Sequence, residues 1–165
     1  MLFMEIFIFM IYRFLIILIF SAFALSAYAE CPNLLVIKKS DNNNVLYYDY
    51  NYNTESVDVY WNRRGERMEL SYLEEMFLGV TEEKLNGDHY ITINNSDFSD
   101  LKFKIEIGEN GCAFAKVQID SDIITLKDAY AQMKNGKIVP GVEYLDLNGT
   151  GNNSRPITKR VIIDG

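Results

Sequence analysis

The side chains that could carry out catalysis are few and scattered along the chain. His89 is the only histidine, and it follows an Asn-Gly-Asp turn sequence, so we expect it to be exposed near a hairpin. Glu74 and Glu75 are adjacent in a helical segment, and adjacent side chains on a helix diverge by about 100°. A glycosidase-type hydrolase needs two carboxyl groups about 5–10 Å apart across a cleft. No spacing selects such a pair, so we expect no enzyme, with a carboxylate-based hydrolase as the weakest alternative.

The densest group of cations is Arg63-Arg64-Gly65-Glu66-Arg67. The arginine guanidinium forms bidentate hydrogen bonds with carboxylates and other anions, so Arg63 and Arg64 could bind an anionic group of a ligand at the rim of a β fold. The alternative is a solvated turn whose arginines pair with nearby acids. Loops such as Asp120-Ser121-Asp122 offer oxygen ligands without the spacing of an EF-hand. Because a lone histidine also makes a zinc site improbable, we expect no metal and no cofactor.

Aromatic residues alternate along YYDYNYNTESVDVYWN (47–62). Alternation places one set of side chains on one face of a hairpin, so Tyr48, Tyr50 and Trp61 are the candidates for lining a ligand cavity. The alternative is that they only fill a core. A symmetric loop over residues 53–56 sets the expected cross-strand pairs. These pairs are Tyr52 with Val57, Tyr50 with Val59, and Tyr48 with Trp61.

The N-terminus has the pattern of an export signal. An apolar run, FLIILIFSAFAL (14–25), precedes Ala27-Tyr28-Ala29, an A-x-A cleavage site, so we predict a signal peptide over residues 1–29 with cleavage between Ala29 and Glu30. Met10 opens a short n-region that contains Arg13, and we predict that translation starts there. The alternative is an uncleaved membrane anchor. The prediction implies a periplasmic or secreted protein without stable membrane insertion after cleavage.

The mature chain, residues 30–165, has the size of a single domain. It keeps the net charge of −7, because residues 1–29 contain one acid and one base. Such an acidic chain is a poor partner for nucleic acid or anionic lipid. Its two cysteines, Cys31 and Cys112, predict one disulfide in an oxidising compartment. A pair of catalytic or metal-binding thiols is the disfavoured alternative, since one histidine does not complete a ligand set.

The remaining segments are mostly strand-like. LKFKIEI (101–107) alternates without a break, and Asn-Gly turn signals recur at Asn86, Asn110, Asn135 and Asn148. One segment, MELSYLEEMFLGV (68–80), has helical spacing, with Ser71 and Glu74 as a capping box and Gly79 as a C′ glycine. We expect a helix over about residues 71–78 whose apolar side docks on the sheet, because two turns do not stand alone in water.

These elements predict a mainly β fold of about nine to ten strands with one short helix. Antiparallel strands in sequence favour an up-and-down, calycin-like barrel, with a sandwich as the alternative.

Several blocks of this sequence follow a recognisable pattern: Asn33-Leu34-Leu35-Val36-Ile37, Val57-Asp58-Val59-Tyr60-Trp61 and Val142-Glu143-Tyr144-Leu145, with Arg155-Pro156-Ile157 near the end. They are similar to a family of exported bacterial proteins known as domain of unknown function 4833. The resemblance covers nearly all of the mature chain, supports a single exported domain and implies no substrate. Ser56 and Leu78 depart from the family pattern, where proline and tyrosine are expected. The most specific matching blocks are Val57-Asp58-Val59-Tyr60-Trp61 and the Leu78-Gly79-Val80 that follows the helix.

From the residues we expect a binding protein. The favoured ligand is a small apolar or amphipathic molecule inside the barrel, near Tyr50 and Trp61, with Arg63 or Arg64 at the rim. The alternative is an envelope module that binds a protein partner through one exposed apolar patch.

Overall fold

A computed structural model of the chain describes residues 31–95, 98–134 and 141–163. These residues belong to one compact unit, Cys31–Gly165. Its described residues form eleven strands and the helix α1 (Tyr72–Leu78). The strands are β1 (Leu35–Lys39), β2 (Val45–Asn51), β3 (Ser56–Arg63), β4 (Glu66–Glu69), β5 (Val80–Leu85), β6 (Asp88–Ile93), β7 (Lys102–Ile107), β8 (Ala113–Ile119), β9 (Asp122–Met133), β10 (Val142–Thr150) and β11 (Pro156–Ile162).

The strands form one curled sheet with the order β4-β3-β2-β1-β9-β8-β7-β6-β5, and β10 and β11 attach through β9. This confirms the predicted mainly β, barrel-like fold with one helix. β1 pairs with β9 in parallel, whereas the other pairings among the described strands are antiparallel. Two consecutive runs of strands, β1 to β4 and β5 to β8, therefore meet β9 at one end and approach each other through β3 and β5 at the other.

One cluster of apolar side chains fills the inside of the curled sheet. Each strand contributes alternate side chains to this cluster, as in β8, where Ala113, Ala115 and Val117 are buried. Among the described residues, no polar or charged residue is buried. The predicted disulfide joins Cys31 to Cys112, with their Cα atoms 5.3 Å apart, and ties the N-terminal end of the unit to the start of β8.

The turn predictions from Asn-Gly were right at Asn86 and at Asn110, which lies in the loop between β7 and β8, and wrong at Asn148. Asn86 and Gly87 both have positive φ and join β5 to β6 as a tight hairpin. Asn148 and Gly149 instead lie inside β10, where the pairing with β9 shifts by one residue. Gly149 is needed there for space, because a Cβ atom would lie 2.1 Å from the carbonyl oxygen of Thr125. The Asn-Gly at residues 135–136 lies outside the described residues.

The predicted register of the β2–β3 hairpin was wrong by two residues. The loop comprises residues 52–55, because the Asn51 side chain accepts hydrogen bonds from the backbone N–H groups of Asn53 and Thr54 and so begins the turn early. Since side chains alternate with a period of two, a shift of two leaves each on its predicted face. The observed pairs are Tyr50 with Val57, Tyr48 with Val59 and Leu46 with Trp61, instead of Tyr52 with Val57, Tyr50 with Val59 and Tyr48 with Trp61.

Helix α1 connects β4 to β5, the two ends of the strand order. Ser71 and Glu74 form the predicted capping box. The interpretation of Gly79 as a left-handed C′ residue was wrong, since its φ is −64° and its ψ is −177°. Glycine is required for another reason: a Cβ atom at this position would lie 2.4 Å from the carbonyl oxygen of Glu75. The short helix can therefore stop and turn at once into β5.

Candidate functional site

Two of the three aromatic residues predicted to line the ligand cavity, Tyr48 and Trp61, are buried and have hydrogen-bond partners. Tyr48 is fully buried, and its hydroxyl donates to the backbone oxygen of Leu78 at the end of α1 (3.0 Å). Burial raises the pKa of Tyr48 far above its ordinary value. Trp61 is 3% exposed, and its Nε1 donates to Glu74 Oε1 (3.0 Å). Both side chains thus fix the helix to the sheet.

Glu74 is the centre of this attachment. Its Oε1 accepts from Trp61 and from the Arg63 guanidinium (2.8 Å), while its Oε2 accepts from the backbone N–H of Ser71 (2.9 Å) and from the Ser71 hydroxyl (2.7 Å). The hydrogen bond from the Ser71 backbone is the largest reason that the pKa of Glu74 is lowered, and those from the Ser71 and Trp61 side chains and the charge of Arg63 add to it. One carboxylate therefore both caps α1 and holds it against β3.

The remaining predicted ligand residues lie in different surroundings. Arg63 places its guanidinium against Trp61, 5.4 Å from the ring centroid, and its Nε is buried without a hydrogen-bond partner. Arg64 is exposed and has a φ of 57°, because it forms the β3–β4 turn with Gly65. Tyr50 is half-buried and contacts Tyr52 edge to face, with ring centroids 5.0 Å apart. The structure thus brings Trp61 and Arg63 together and leaves Arg64 outside their contact.

The expectation that α1 docks by its apolar side was wrong. The helix turns Glu74 towards the sheet, so four of its large apolar side chains face solvent, whereas Leu78 packs partly buried against the core and no residue of α1 is fully buried. Met68, on the neighbouring edge strand β4, is also 44% exposed. We call the four helical side chains the α1 apolar face. They are Tyr72 (76% exposed), Leu73 (66%), Met76 (52%) and Phe77 (59%).

A seam lies where β3 approaches β5. The two strands are joined by side chains: Glu82 Oε1 accepts from the backbone N–H of Val57 (3.0 Å), and Lys84 pairs with Glu55 (3.0 Å). The expectation that His89 is exposed was wrong, since its side chain is 11% exposed and its Nε2 lies 2.7 Å from Glu82 Oε2. Sequence reasoning missed this seam, because nothing local to β3 or β5 indicates that strands so far apart in the order become neighbours.

A cleft of about 550 Å³ opens at the seam beside α1. Val57, Val59 and Val80 contribute apolar surface to it, and Glu75 and Glu82 are among its acids. Within the described ranges no group of three or more histidine, cysteine or acidic side chains could hold a metal ion. None of the helices in the described ranges has the length and apolar character needed to cross a membrane.

The fold and this surface define a class: a disulfide-bonded, barrel-like β domain that carries one exposed apolar helix. The model of the family described as domain of unknown function 4833 matches residues 35–160, and the chain belongs to that family. No curated protein and no solved structure matches the chain.

Proposed function

We propose that this protein is an exported, non-enzymatic interaction module that docks a protein partner through the α1 apolar face. The observation that carries the proposal is the orientation of α1. The helix is fixed to the sheet by Glu74, a charged residue, and presents Leu73 and Phe77 to solvent. Contiguous exposed apolar surface of this kind is typical of interaction sites.

The energetic reason is the apolar area that a partner would remove from water. Fully burying one side chain of this size contributes about 1.5–3 kcal/mol, and four such side chains lie within two helical turns. A lipid surface is a poorer occupant, because Glu69 and Glu75 flank the face and the chain carries a net charge of −7. A protein surface with an apolar groove and basic rim fits better.

Export is part of the proposal. The signal-peptide pattern over residues 1–29 supports a periplasmic or secreted location, and the disulfide between Cys31 and Cys112 fits an oxidising compartment.

Site-specific photo-crosslinking in the producing cells tests the docking face. A photoreactive amino acid at Phe77 is compared with one at Ile162, which is equally exposed (62%) but lies on the edge strand β11. We expect a discrete protein adduct from position 77, none from position 162, and loss of the adduct when Leu73→Ser is added. Equal adducts from both positions, or none from position 77, would contradict the proposal.

A second candidate is the binding of a small apolar or amphipathic ligand near Tyr50 and Trp61. The observation in its favour is the seam cleft, whose apolar surface includes Val57, the cross-strand partner of Tyr50. A ligand entering there would reach the inner face of β3. Organic extraction of the purified protein followed by mass spectrometry should then release a bound molecule, and added fatty acid should shift the emission of Trp61. An extract without a bound molecule, together with unchanged emission, would exclude this candidate.

A further inference from the structure

Part of the β3 edge that faces the seam is not paired with any strand among the described residues. β4 pairs with β3 only through residues 60–63 and ends at Glu69, where the chain turns away to form α1. In the described part of the chain, residues 56–59 of β3 have no strand on this edge, although β5 lies opposite them. The cleft occupies the space that a longer β4 would have filled.

A side chain takes the place of the missing strand. The N–H of Val57 points into the seam and donates to the Glu82 carboxylate (3.0 Å), where a neighbouring strand would offer a carbonyl oxygen. An open strand edge is a template for pairing with another chain, and proteins protect such edges with charged side chains. Glu82 is held in turn by His89. The edge is thus covered by contacts that another acceptor could replace.

The lining of the cleft indicates what would fit. Asp58, Glu75 and Glu82 place carboxylates around it, and Arg67, its basic residue, is paired with Glu69 at 2.8 Å. The sign of this charge favours lysine or arginine in a ligand. The apolar surface on the sheet side favours apolar residues at the intervening positions, because side chains alternate along a strand.

We infer that the seam accepts an extended peptide segment of the partner protein, with alternating basic and apolar residues, by strand addition to residues 56–59 of β3. Such recognition takes its affinity from backbone hydrogen bonds and its specificity from the alternate side chains. This inference rests on the proposed interaction function and assigns the partner a second point of contact, beside the α1 apolar face.

Strand addition requires the seam to open. Two strands that flank a third lie about 10 Å apart, whereas β3 and β5 now touch through side chains. Opening breaks the contact of Glu82 with Val57 and the ion pair of Lys84 with Glu55. The ion pair is well exposed, so it contributes little to keeping the seam closed. A covalent link between positions 55 and 84 should therefore keep the peptide out without touching the cleft itself.

The test uses three labelled peptides and the processed protein. The probe alternates lysine and valine over six residues, one control is N-methylated at alternate residues, and the other carries glutamate in place of lysine. N-methylation removes the N–H donors of one strand edge and preserves charge. We expect fluorescence anisotropy to show the probe binding at least about tenfold more tightly than either control, with slowed amide hydrogen exchange in residues 56–59 and β5.

A Glu55→Cys and Lys84→Cys variant, with its two thiols either free or joined through a single methylene carbon, provides the matched control, because so short a bridge holds the seam closed. The unbridged protein should bind the probe and the bridged protein should not. The inference is overturned if the N-methylated peptide binds equally well, if the bridged protein still binds, or if no binding occurs up to about 1 mM. Crosslinking from Phe77 is read separately, so failure of the seam site is distinguished from failure of the proposed function.

Discussion

Replacing Glu74 by glutamine should release α1 from the sheet. A glutamine side chain keeps the shape but offers one acceptor oxygen, so its NH₂ group must face either the donors Trp61 and Arg63 or the donors of Ser71. Two of the four accepted hydrogen bonds are therefore lost, and a donor is placed against donors.

The expected loss follows from these contacts. Hydrogen bonds to a charged group contribute about 1.5–3 kcal/mol each, but the Glu74 side chain is 32% exposed, so water replaces part of this. We expect Glu74→Gln to lower the free energy of unfolding by about 1–2 kcal/mol. This corresponds to a Tm lower by about 3–6 °C for a domain of this size.

Urea unfolding followed by Trp61 fluorescence measures this loss, because Trp61 is the single tryptophan and bonds to Glu74. Glu75→Gln is the matched control, since its neighbouring carboxylate is exposed, and it should change stability by less than about 0.5 kcal/mol. If the two variants unfold at the same urea concentration and the native Trp61 emission is unchanged in both, Glu74 does not hold the helix as described.

Three further outcomes are expected. The stability that ionised Glu74 contributes should be present above the ordinary carboxyl pKa and lost as the pH falls through its lowered pKa in the folded state; the stability gap between the wild type and Glu74→Gln should therefore narrow between pH 7 and pH 3, and a constant gap would contradict this. Gly149→Ala should shift the thermal unfolding curve down by far more than Gly151→Ala, because the nearest atom to the new Cβ lies at 2.1 Å in the first case and 3.7 Å in the second; equal curves would refute the close approach. Replacing both Cys31 and Cys112 by alanine removes the cross-link between two residues that are 81 positions apart, and it should lower the free energy of unfolding, measured in urea, by about 3–5 kcal/mol. An unchanged midpoint would mean that the disulfide does not constrain the unfolded chain.

The candidate surface was only partly predictable from sequence. The helix, its capping box and the alternative of an exposed apolar patch were all readable locally, because a cap involves residues three apart. Which side of the helix faces the sheet could not be predicted from sequence, since amphipathic spacing alone favours burial of Leu73 and Phe77. Trp61 and Arg63, supplied by β3, reverse that direction by binding the carboxylate of Glu74.

By itself the sequence determined the periodic features of this protein. Alternation assigned Tyr48 and Trp61 to the inner face, and that assignment survived a wrong register because a shift of two residues preserves the face. Tertiary structure decided the rest, since it depends on which distant strands become neighbours. Curling of the sheet brings β3 beside β5, and only then do Val57 and Glu82 meet and the seam exist.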